Sequence, residues 1–498
     1  MWDPVLMGFS VALMPANLFY CFSGVFLGTL IGVLPGIGPA ATVGLLVPLT
    51  LHLSPTAAII MLAGICYGAQ YGGSTTAILL NIPGESTAVM TTLDGYQMAR
   101  QGRAGPALGM SAFGSFIGGT VGVVGLMSFG PPLTDFALKF GPPEYCSLIL
   151  FALLLVGYFG GGSLLRSLLV TTVGLFLGTV GQDMETMIPR FTFGVTEFLD
   201  GIDIIPVIMG LFGVTEVLCN LEQIQTASVF SGKIGRLLPL WKDWKDSLGP
   251  VFRGSGLGFF LGTIPGAGAT LSTFMSYAIE KRISKHPEKF GHGAIEGVAG
   301  PETANNAATQ GNFLPLLCLG LPTNGAMAII LGALLIHGVK VGPLLLQNHP
   351  DLFWGVTTSM YVGNIMLLVL NIPLIPLWVR LLKVPYHLLF PLILFLCMIG
   401  VYSINNSLFD IGVMIGFGVI GYFMRKYQYE PISLVLGMIL APILETAFRQ
   451  TMIISKGSFG IFFTRPISAV FLIVALGTLT SPVLVRVFRR SARSSSGP

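Results

Sequence analysis

Charge is the property that this sequence of 498 residues has least of. Only 10% of the residues are charged, whereas 53% are hydrophobic, and the mean hydropathy is +0.80. A soluble globular domain carries about 25% charged residues, so the composition excludes a soluble enzyme. It also excludes a disordered chain, because low hydrophobicity and high net charge are both missing. The sequence therefore predicts a membrane protein with several spans.

The sequence lacks the motifs that are typical of several functional classes. A net charge of +4 is too small to predict nucleic-acid binding. The six cysteines lie singly in apolar stretches without a CxxC pair, so we interpret them as small buried side chains. No nucleophile elbow, HExxH or Walker motif occurs. We therefore predict that the protein is not an enzyme and carries no metal cofactor.

Long apolar segments predict the membrane spans. Each is long enough to cross about 30 Å of hydrocarbon, and together they are 106–129, 143–161, 164–181, 203–221, 353–379, 386–402, 408–424, 430–446 and 466–487. Lys and Arg concentrate in loop 222–253 and at the C-terminus. Because cytoplasmic loops are enriched in these residues, both are predicted to lie in the cytoplasm.

Glycine and proline motifs recur in the two halves of the chain. Three pairs occur in the same order: PGIG at Pro35 with PGAG at Pro265, IPGE at Pro83 with LPTN at Pro322, and Gly105-Pro106 with Gly342-Pro343. Recurrence in one order predicts an internal repeat. The Lys and Arg residues around the motifs give the two halves opposite orientations. Inverted repeats are typical of secondary transporters, whose substrate sites lie near the membrane midplane.

These patterns predict an all-α polytopic membrane protein with two inverted-topology repeats, each with a re-entrant hairpin and a broken transmembrane helix. The predicted divisions are an N-terminal helix (1–17), the first repeat (18–222), a cytoplasmic linker (223–253), the second repeat (254–446), and an extra C-terminal transmembrane helix with a basic tail (447–498). The first hairpin is predicted at 18–53. A kinked full span is the alternative for each hairpin.

The broken helices are predicted from polar, glycine-containing stretches. The first crossing, 56–83, is expected to be interrupted at 72–76, and the second, 298–337, at 302–312. Non-helical backbone at membrane depth is tolerated only where it is buried in protein or lines a cavity. The breaks and hairpin tips are therefore predicted to meet in one site.

The predicted site suits an anion. Helix N-termini carry partial positive charge and free N–H donors, and no Lys or Arg lies in the motifs. The candidate substrate-binding residues are Pro35, Gly36, Gly38, Gly73, Ser74, Thr75, Asn81, Pro265, Gly266, Gly268, Asn305, Asn306, Thr309, Gln310, Thr323 and Asn324. The candidate Na⁺ ligands are Ser74, Thr76, Asn305 and Asn306. Alternatively, these polar groups only satisfy one another where helices break.

Two carboxylates flank the motifs. Glu85 and Glu302 would take part in proton coupling if they lay at membrane depth, because carboxylates there are functional by default. The favoured interpretation is that both are helix caps at the water interface. We expect Asn305→Ala or Ser74→Ala to abolish uptake while the protein still inserts.

Longer strings resemble a known family. LPGIGPAATVGLLVPLT, YGGSTTAILLNIPGE and GPETANNAATQGNF are similar to the large membrane subunit of the tripartite tricarboxylate transporters, over about residues 18–470. The resemblance implies a bacterial inner-membrane permease that works with a small four-helix membrane subunit and a periplasmic solute receptor. It implies a citrate-like or related carboxylate as substrate, driven by a Na⁺ or H⁺ gradient.

Other functions stay open at this point. A channel, or a carboxylate transporter acting without a receptor, would share the composition and the anion site. A scaffold subunit would leave the substrate site to a partner. Motif-rich broken helices argue against the scaffold, and inverted hairpins favour an elevator motion over rocking.

Overall fold

The computed structural model describes residues 2–34, 37–159, 163–183, 185–222, 234–266, 268–382 and 386–494. Helices of the first half are α1 (Trp2–Ala12), α2 (Pro15–Gly32), α3 (Pro39–Leu46), α4 (Pro55–Leu80), α5 (Val89–Met98), α6 (Ala104–Ala137), α7 (Pro142–Phe159), α8 (Leu164–Leu177), α9 (Ile204–Ile208) and α10 (Thr215–Glu222). A two-stranded antiparallel hairpin is formed by β1 (Gly181–Gln182) and β2 (Pro189–Arg190).

Helices of the second half are α11 (Trp241–Gly262), α12 (Gly268–Ile283), α13 (Glu296–Leu319), α14 (Gly325–Ile336), α15 (Leu345–Asn348), α16 (Pro350–Asn371), α17 (Ile375–Leu381), α18 (Tyr386–Asn405), α19 (Leu408–Lys426), α20 (Pro431–Ile454), α21 (Ile461–Thr464) and α22 (Pro466–Ser494). Short 3-10 turns cover Val47–Thr50, Ser86–Ala88, Thr196–Phe198 and Pro287–Lys289, and π-helical turns cover Ala99–Arg103 and Met209–Val214.

Seven helical stretches in the described residues are long and apolar enough to cross a membrane: Pro15–Gly32, Ser86–Ala137, Pro142–Phe159, Ile204–Glu222, Pro350–Asn371, Leu408–Lys426 and Pro431–Ile454. The first overlaps the predicted hairpin 18–53, and each of the others overlaps a predicted span. Three further predicted spans form shorter apolar helices, Leu164–Leu177, Phe390–Asn405 and Pro466–Thr480. The prediction of an all-α, multi-pass membrane protein is confirmed.

The chain divides into two compact units. Unit 1 comprises Met1–Asp135 and Asp203–Phe423, and unit 2 comprises Phe136–Ile202 and Met424–Pro498. The predicted divisions followed the repeat instead and stay a prediction. Within the predicted linker, residues 241–253 belong to α11, while 223–233 lie outside the described residues.

In unit 1 the same close helix pairing occurs twice. A Cβ added at Gly28 of α2 would lie 2.4 Å from the carbonyl oxygen of Ile65 on α4. A Cβ at Gly258 of α11 would lie 2.3 Å from the carbonyl oxygen of Ala304 on α13. Only glycine permits this approach, which is how small residues bring membrane helices together. The helix pairs α2–α4 and α11–α13 therefore share one mode of close packing, as the predicted internal repeat would require.

The long helices end at equivalent points too. Asn81 and Gly320 terminate α4 and α13 in the left-handed conformation, with φ of 58° and 72°, which is a common helix ending. Each is followed two residues later by a proline, Pro83 or Pro322. The opposite membrane orientation of the two halves, and a re-entrant course for α2–α3 and α11–α12, stay predictions.

The positions of the helix breaks were wrong in the prediction. Residues 72–76 lie inside continuous helix α4, and residues 302–312 lie inside continuous helix α13. The hydroxyls of Ser74 and Thr309 lie within hydrogen-bonding distance of carbonyls one turn earlier in their own helices and of side chains on the other long helix, so these polar residues find acceptors without a break. The interruptions lie after Leu80 and Leu319 instead.

Candidate functional site

Four helix starts meet in unit 1. They are the starts of α3, of the 3-10 turn Ser86–Ala88 leading to α5, of α12 and of α14, and we call them together the tip ring. A Cβ added at Gly38 would lie 4.0 Å from Cβ of Glu85, and one at Gly325 would lie 3.2 Å from Cβ of Ala40. Two polar contacts complete the ring: Ser86 Oγ with Thr270 Oγ1 at 3.2 Å, and Gly266 N–H to the Thr323 carbonyl at 2.9 Å.

Two contacts in the tip ring join corresponding positions of the two halves of the chain. Thr270 and Ala40 are the third and second residues of α12 and α3, and both lie five residues after the repeated prolines Pro265 and Pro35. Ser86 and Gly325 both lie three residues after the prolines of the second motif. The Ser86–Thr270 contact therefore matches the Gly325–Ala40 contact. Reciprocal contacts of this kind are typical of a two-fold arrangement.

Charged side chains are scarce in the tip ring. The segments 37–42, 84–88, 266–272 and 321–327 contain no Lys or Arg, and their one charged residue is Glu85. Helix starts present N–H groups without intrahelical partners and about half a positive charge. The Asn324 side chain accepts a 3.0 Å hydrogen bond from Met327 N–H at the start of α14. An anion in the tip ring would therefore bind to helix dipoles and N–H groups and not to a cationic side chain, and such binding stays a prediction.

Asn305 of α13 connects the tip ring to the long helices. Its Nδ2 donates a 3.2 Å hydrogen bond to Oε1 of the half-buried Glu85, and its buried Oδ1 has no partner among the described residues. Gly73 of α4 lies against the same loop, because a Cβ added at Gly84 would approach the Gly73 Cα to 2.4 Å. The structure thus brings together Gly38, Gly73, Asn305 and the 84–86 loop.

Glu302 lies beneath this loop and is completely buried. Its two carboxyl oxygens accept hydrogen bonds from the hydroxyls of Ser74 and Thr91. The expectation that Glu302 caps a helix at the water interface was wrong, since the residue lies within α13. Glu85 directly precedes a 3-10 turn, but its side chain makes no capping hydrogen bond.

Several predicted site residues face other partners. Thr76 Oγ1 donates to the carbonyl of Val33, the residue that follows α2, at 2.7 Å, and Asn306 Nδ2 donates to Ser115 Oγ of α6 at 2.7 Å. Gln310 packs against Gly122 of α6, and its amide atoms have no partner in the part of the chain that the structure describes. Thr323 donates to Asn312 Oδ1 at 3.0 Å.

The remaining candidates are placed as follows. Thr75 is buried in α4, Asn81 is exposed, Pro265 is buried between α11 and α12, and Gly268 begins α12. Pro35 and Gly36 lie outside the described residues. The four Na⁺ candidates, Ser74, Thr76, Asn305 and Asn306, contact four different partners, and their role as ligands stays a prediction.

Two residues that complete this region were not predicted from the sequence. Gln70 of α4 accepts a hydrogen bond from the Thr309 hydroxyl of α13. Its amide in an otherwise apolar stretch of α4 was a signal that could have identified it. Thr91 of α5 binds Glu302, and nothing in its surrounding sequence distinguishes it.

One relative matches nearly the whole chain, and two others match about half of it. A protein of Agrobacterium vitis, described as an uncharacterized 52.8 kDa protein in the TAR-I ttuC′ 3′ region, is 50% identical over 481 residues, covering 96% of this chain and 95% of the relative. A second protein of that organism, from the TAR-II ttuC′ 3′ region, is 50% identical over 212 residues, covering 43% and 88%. An uncharacterized Methanocaldococcus jannaschii protein is 24% identical over 278 residues, covering 54% and 64%. No solved structure matches the chain.

A family model extends over most of the sequence. The model described as the Tripartite tricarboxylate transporter TctA family matches residues 18–436. This range includes every part of the tip ring and both helix pairs, except the first three residues of α2. The match confirms the resemblance drawn from the motifs. The chain belongs to the tripartite tricarboxylate transporter TctA family.

Proposed function

We propose that the protein is the permease subunit of a secondary transporter that imports citrate-like tricarboxylates or related organic carboxylates. The observation that carries this proposal is the tip ring, in which four helix starts converge without a Lys or Arg side chain. Such a site attracts carboxylates through backbone dipoles and N–H donors. It releases them more readily than a site with fixed cationic side chains.

A site that contains residues from both halves of the chain favours a transport function. In the tip ring, α3 and the 84–86 loop come from the first half, and α12 and α14 come from the second. A ligand at such a boundary is released to one side or the other when the halves rearrange, as in other repeat-built transporters. This supports a transporter over a scaffold subunit.

The proposed partners follow from the family. A tripartite system supplies further subunits, which we propose are a small four-helix membrane subunit and a periplasmic solute receptor. The permease would lie in the bacterial inner membrane with its C-terminus in the cytoplasm. A Na⁺ or H⁺ gradient would drive uptake, with Ser74, Thr76, Asn305 and Asn306 as the candidate Na⁺ ligands.

The test is uptake in liposomes that contain the permease and the small subunit. Labelled citrate and a labelled dicarboxylate are offered with and without the receptor, under a Na⁺ gradient and then a pH gradient. Receptor-dependent accumulation against the substrate gradient is the expected result. Flux that only equilibrates the substrate would favour a channel, and equal accumulation without a receptor would remove the receptor from the proposal.

A further inference from the structure

Glu85 is the one charged residue of the tip ring, and its charge has the same sign as that of the proposed substrate. A carboxylate repels an organic anion unless the anion presents a hydrogen-bond donor to it. Glu85 does not act as a helix cap, since its side chain makes no capping hydrogen bond. The tip ring therefore contains an acceptor that a substrate with carboxylate groups alone cannot use, because ionised carboxylates only accept.

The Glu85 side chain is held in position by its neighbours. Asn305 Nδ2 of α13 donates a 3.2 Å hydrogen bond to Glu85 Oε1, and the Thr87 hydroxyl lies beside the same carboxyl. A Cβ added at Gly73 of α4 would lie 3.7 Å from Glu85 Cγ. An ionised carboxylate has about four lone-pair positions, so these two donors leave acceptor capacity on Glu85 for a ligand.

A second acceptor adjoins the Glu85 carboxyl. Asn305 is completely buried, and its Oδ1 has no hydrogen-bond partner in the ranges that the structure describes. This Oδ1 belongs to the same amide group whose Nδ2 contacts Glu85, so the two acceptors lie close together. A buried acceptor without a donor is unfavourable. The pair therefore matches a ligand group that donates hydrogen bonds.

Donors for a substrate carboxylate lie next to this pair. Helix α3 begins at Pro39 without a side-chain cap, so the N–H groups of Ala40 and Ala41 have no acceptor within the helix. A Cβ added at Gly38 would lie 4.0 Å from Glu85 Cβ and would meet no other described atom within 4 Å outside its chain neighbours. A small molecule over Gly38 can thus bind the start of α3 through one group and Glu85 through the next.

We propose that Glu85 and Asn305 recognise a hydroxyl group of the substrate, and that the permease selects hydroxycarboxylates over carboxylates that lack the hydroxyl. The inference rests on the proposed function and names the substrate class within it. A hydroxyl on the carbon that carries a carboxylate donates to Glu85, while that carboxylate accepts from the N–H groups at the start of α3. The hydroxyl–carboxylate hydrogen bond is charge-assisted and stronger than one between neutral groups.

The surroundings of the pair favour a hydroxyl over a cation as its occupant. Oxygen acceptors also suit a metal ion, but the start of α3 beside Glu85 carries partial positive charge, which repels a cation and attracts the carboxylate end of a hydroxycarboxylate. A site that pairs a substrate hydroxyl rejects the analogue without it, because the acceptors of the site then stay unpaired.

The first test compares two ligands that differ only by the hydroxyl. The wild-type permease with its small subunit, in lipid nanodiscs and without the receptor, is titrated with citrate and with propane-1,2,3-tricarboxylate. The apparent Kd of each is taken from the rise of Tm with ligand concentration. We expect citrate to bind at least about tenfold more tightly. Equal Kd values would overturn the inference, because a Na⁺ ion or a protonated carboxyl group would then fill the pair for both ligands alike.

Glu85→Gln tests the pair directly. The Gln oxygen can still accept from Asn305 Nδ2, but the second position of the side chain becomes an NH₂ donor. Citrate should then bind at least about tenfold more weakly, whereas the analogue should bind as tightly as to the wild type or more tightly, because a repulsive charge is removed. If the variant does not fold, the wild-type comparison decides alone.

The matched control is Glu296→Gln. Glu296 is also half-buried, but it is the first residue of α13, nine positions before Asn305, or about 13 Å along the helix. Its preference for citrate over the analogue should stay within about twofold of the wild-type value. The same loss of preference in Glu296→Gln and Glu85→Gln would overturn the inference, because the effect would not come from the tip ring.

The outcomes separate the inference from the function on which it rests. Carboxylate binding without preference for the hydroxyl would overturn the inference and leave carboxylate transport standing. Absence of both binding and uptake of citrate, its analogue and a dicarboxylate in the wild type, with the receptor present, would overturn the proposed function and this inference with it.

Discussion

Gln70 and Thr309 occupy equivalent positions in the two halves of the chain, and the Thr309 hydroxyl donates a hydrogen bond to Oε1 of Gln70. Each lies one position after a residue that contacts a glycine of the neighbouring helix, Ala69 with Gly32 and Ala308 with Gly262. Two equivalent residues touch each other only near a two-fold axis. A two-fold relation between the halves, which stays a prediction, would therefore have its axis beside α4 and α13.

Asn305→Ala should reduce substrate uptake at least about tenfold, because it removes a hydrogen bond to a carboxylate in the tip ring. The Nδ2 of Asn305 is the donor to Glu85 Oε1, so the 84–86 loop loses its attachment to α13. Uptake of labelled citrate, normalised to the amount of inserted protein, measures the effect.

The matched control for this variant is Asn371→Ala. Asn371 is also a buried helical Asn, but its Nδ2 bonds the Leu367 carbonyl of its own helix at 3.0 Å. Uptake by the control should stay within about twofold of wild type. Equal uptake by both variants and the wild type would remove Asn305 from the site.

Part of this site was predictable from the sequence. Prolines such as Pro83 and Pro322 interrupt helices because the ring removes an N–H donor and clashes with the preceding turn. The existence of two helix breaks was therefore predictable from the sequence. Their positions were misjudged because the polar residues of α4 and α13 bond to their own helix or to each other. The sequence shows that Ser74 and Thr309 are polar, but it does not show whether these residues interrupt the helix.

The burial of Glu302 was not predictable from neighbouring residues. Its partners Ser74 and Thr91 lie more than two hundred positions away, and only the packing of the two halves brings them together. The ring contacts between Ser86 and Thr270 have the same origin. Local sequence patterns predict helices and turns, whereas contacts between the halves depend on the tertiary fold.

Gly258→Ala should destabilise the protein by about 1–3 kcal/mol through overpacking. The added methyl group would meet the Ala304 carbonyl oxygen at 2.3 Å, which forces α11 and α13 apart. Thermal unfolding in detergent should show a lower Tm.

Gly256→Ala on the same helix is the control. A Cβ at Gly256 has nothing within 4 Å, and alanine favours a helix over glycine by about 1 kcal/mol. Its Tm should equal or exceed that of the wild type. If both variants unfold at the same temperature, the close approach of α11 and α13 is not a determinant of stability.

Asp183→Asn should destabilise unit 2 at neutral pH. The Arg449 guanidinium lies 2.5 Å from Asp183 Oδ2 and holds the pKa of that carboxyl well below its usual range. Because the folded pKa is lowered, this stabilisation is present above the unfolded pKa near 3.8 and is lost as the pH falls through the folded pKa. The Tm difference between variant and wild type should therefore shrink in acid.

Glu185→Gln serves as the comparison for this pH dependence. Glu185 contacts the same Arg449 at 3.3 Å but its side chain is 50% exposed, and exposed ion pairs contribute little to stability. Its Tm should stay close to the wild-type value from neutral pH to acid. A Tm difference for Asp183→Asn that did not change with pH would contradict the role of the charge.

Asp94→Ala should release the segment that precedes α13. Asp94 Oδ1 accepts hydrogen bonds from the backbone N–H groups of Gly291, Gly293 and Ala294 at 2.8–2.9 Å, and Oδ2 accepts one from the Tyr277 hydroxyl at 2.8 Å. Losing the acceptor for three N–H groups should cost about 3 kcal/mol. Amide hydrogen exchange across 290–295 should become faster by at least about a hundredfold.

Tyr277→Phe separates the backbone contacts of Asp94 from its side-chain contact. It removes only the donor to Oδ2, so the cost should be about 1 kcal/mol and the three amides should keep most of their protection. Because Asp94 comes from the first half of the chain and the protected amides come from the second, a larger effect in Asp94→Ala than in Tyr277→Phe would show that the carboxylate holds the halves together. Equal exchange in both variants would assign that attachment to the hydrogen bond between the Tyr277 hydroxyl and Asp94 Oδ2 instead.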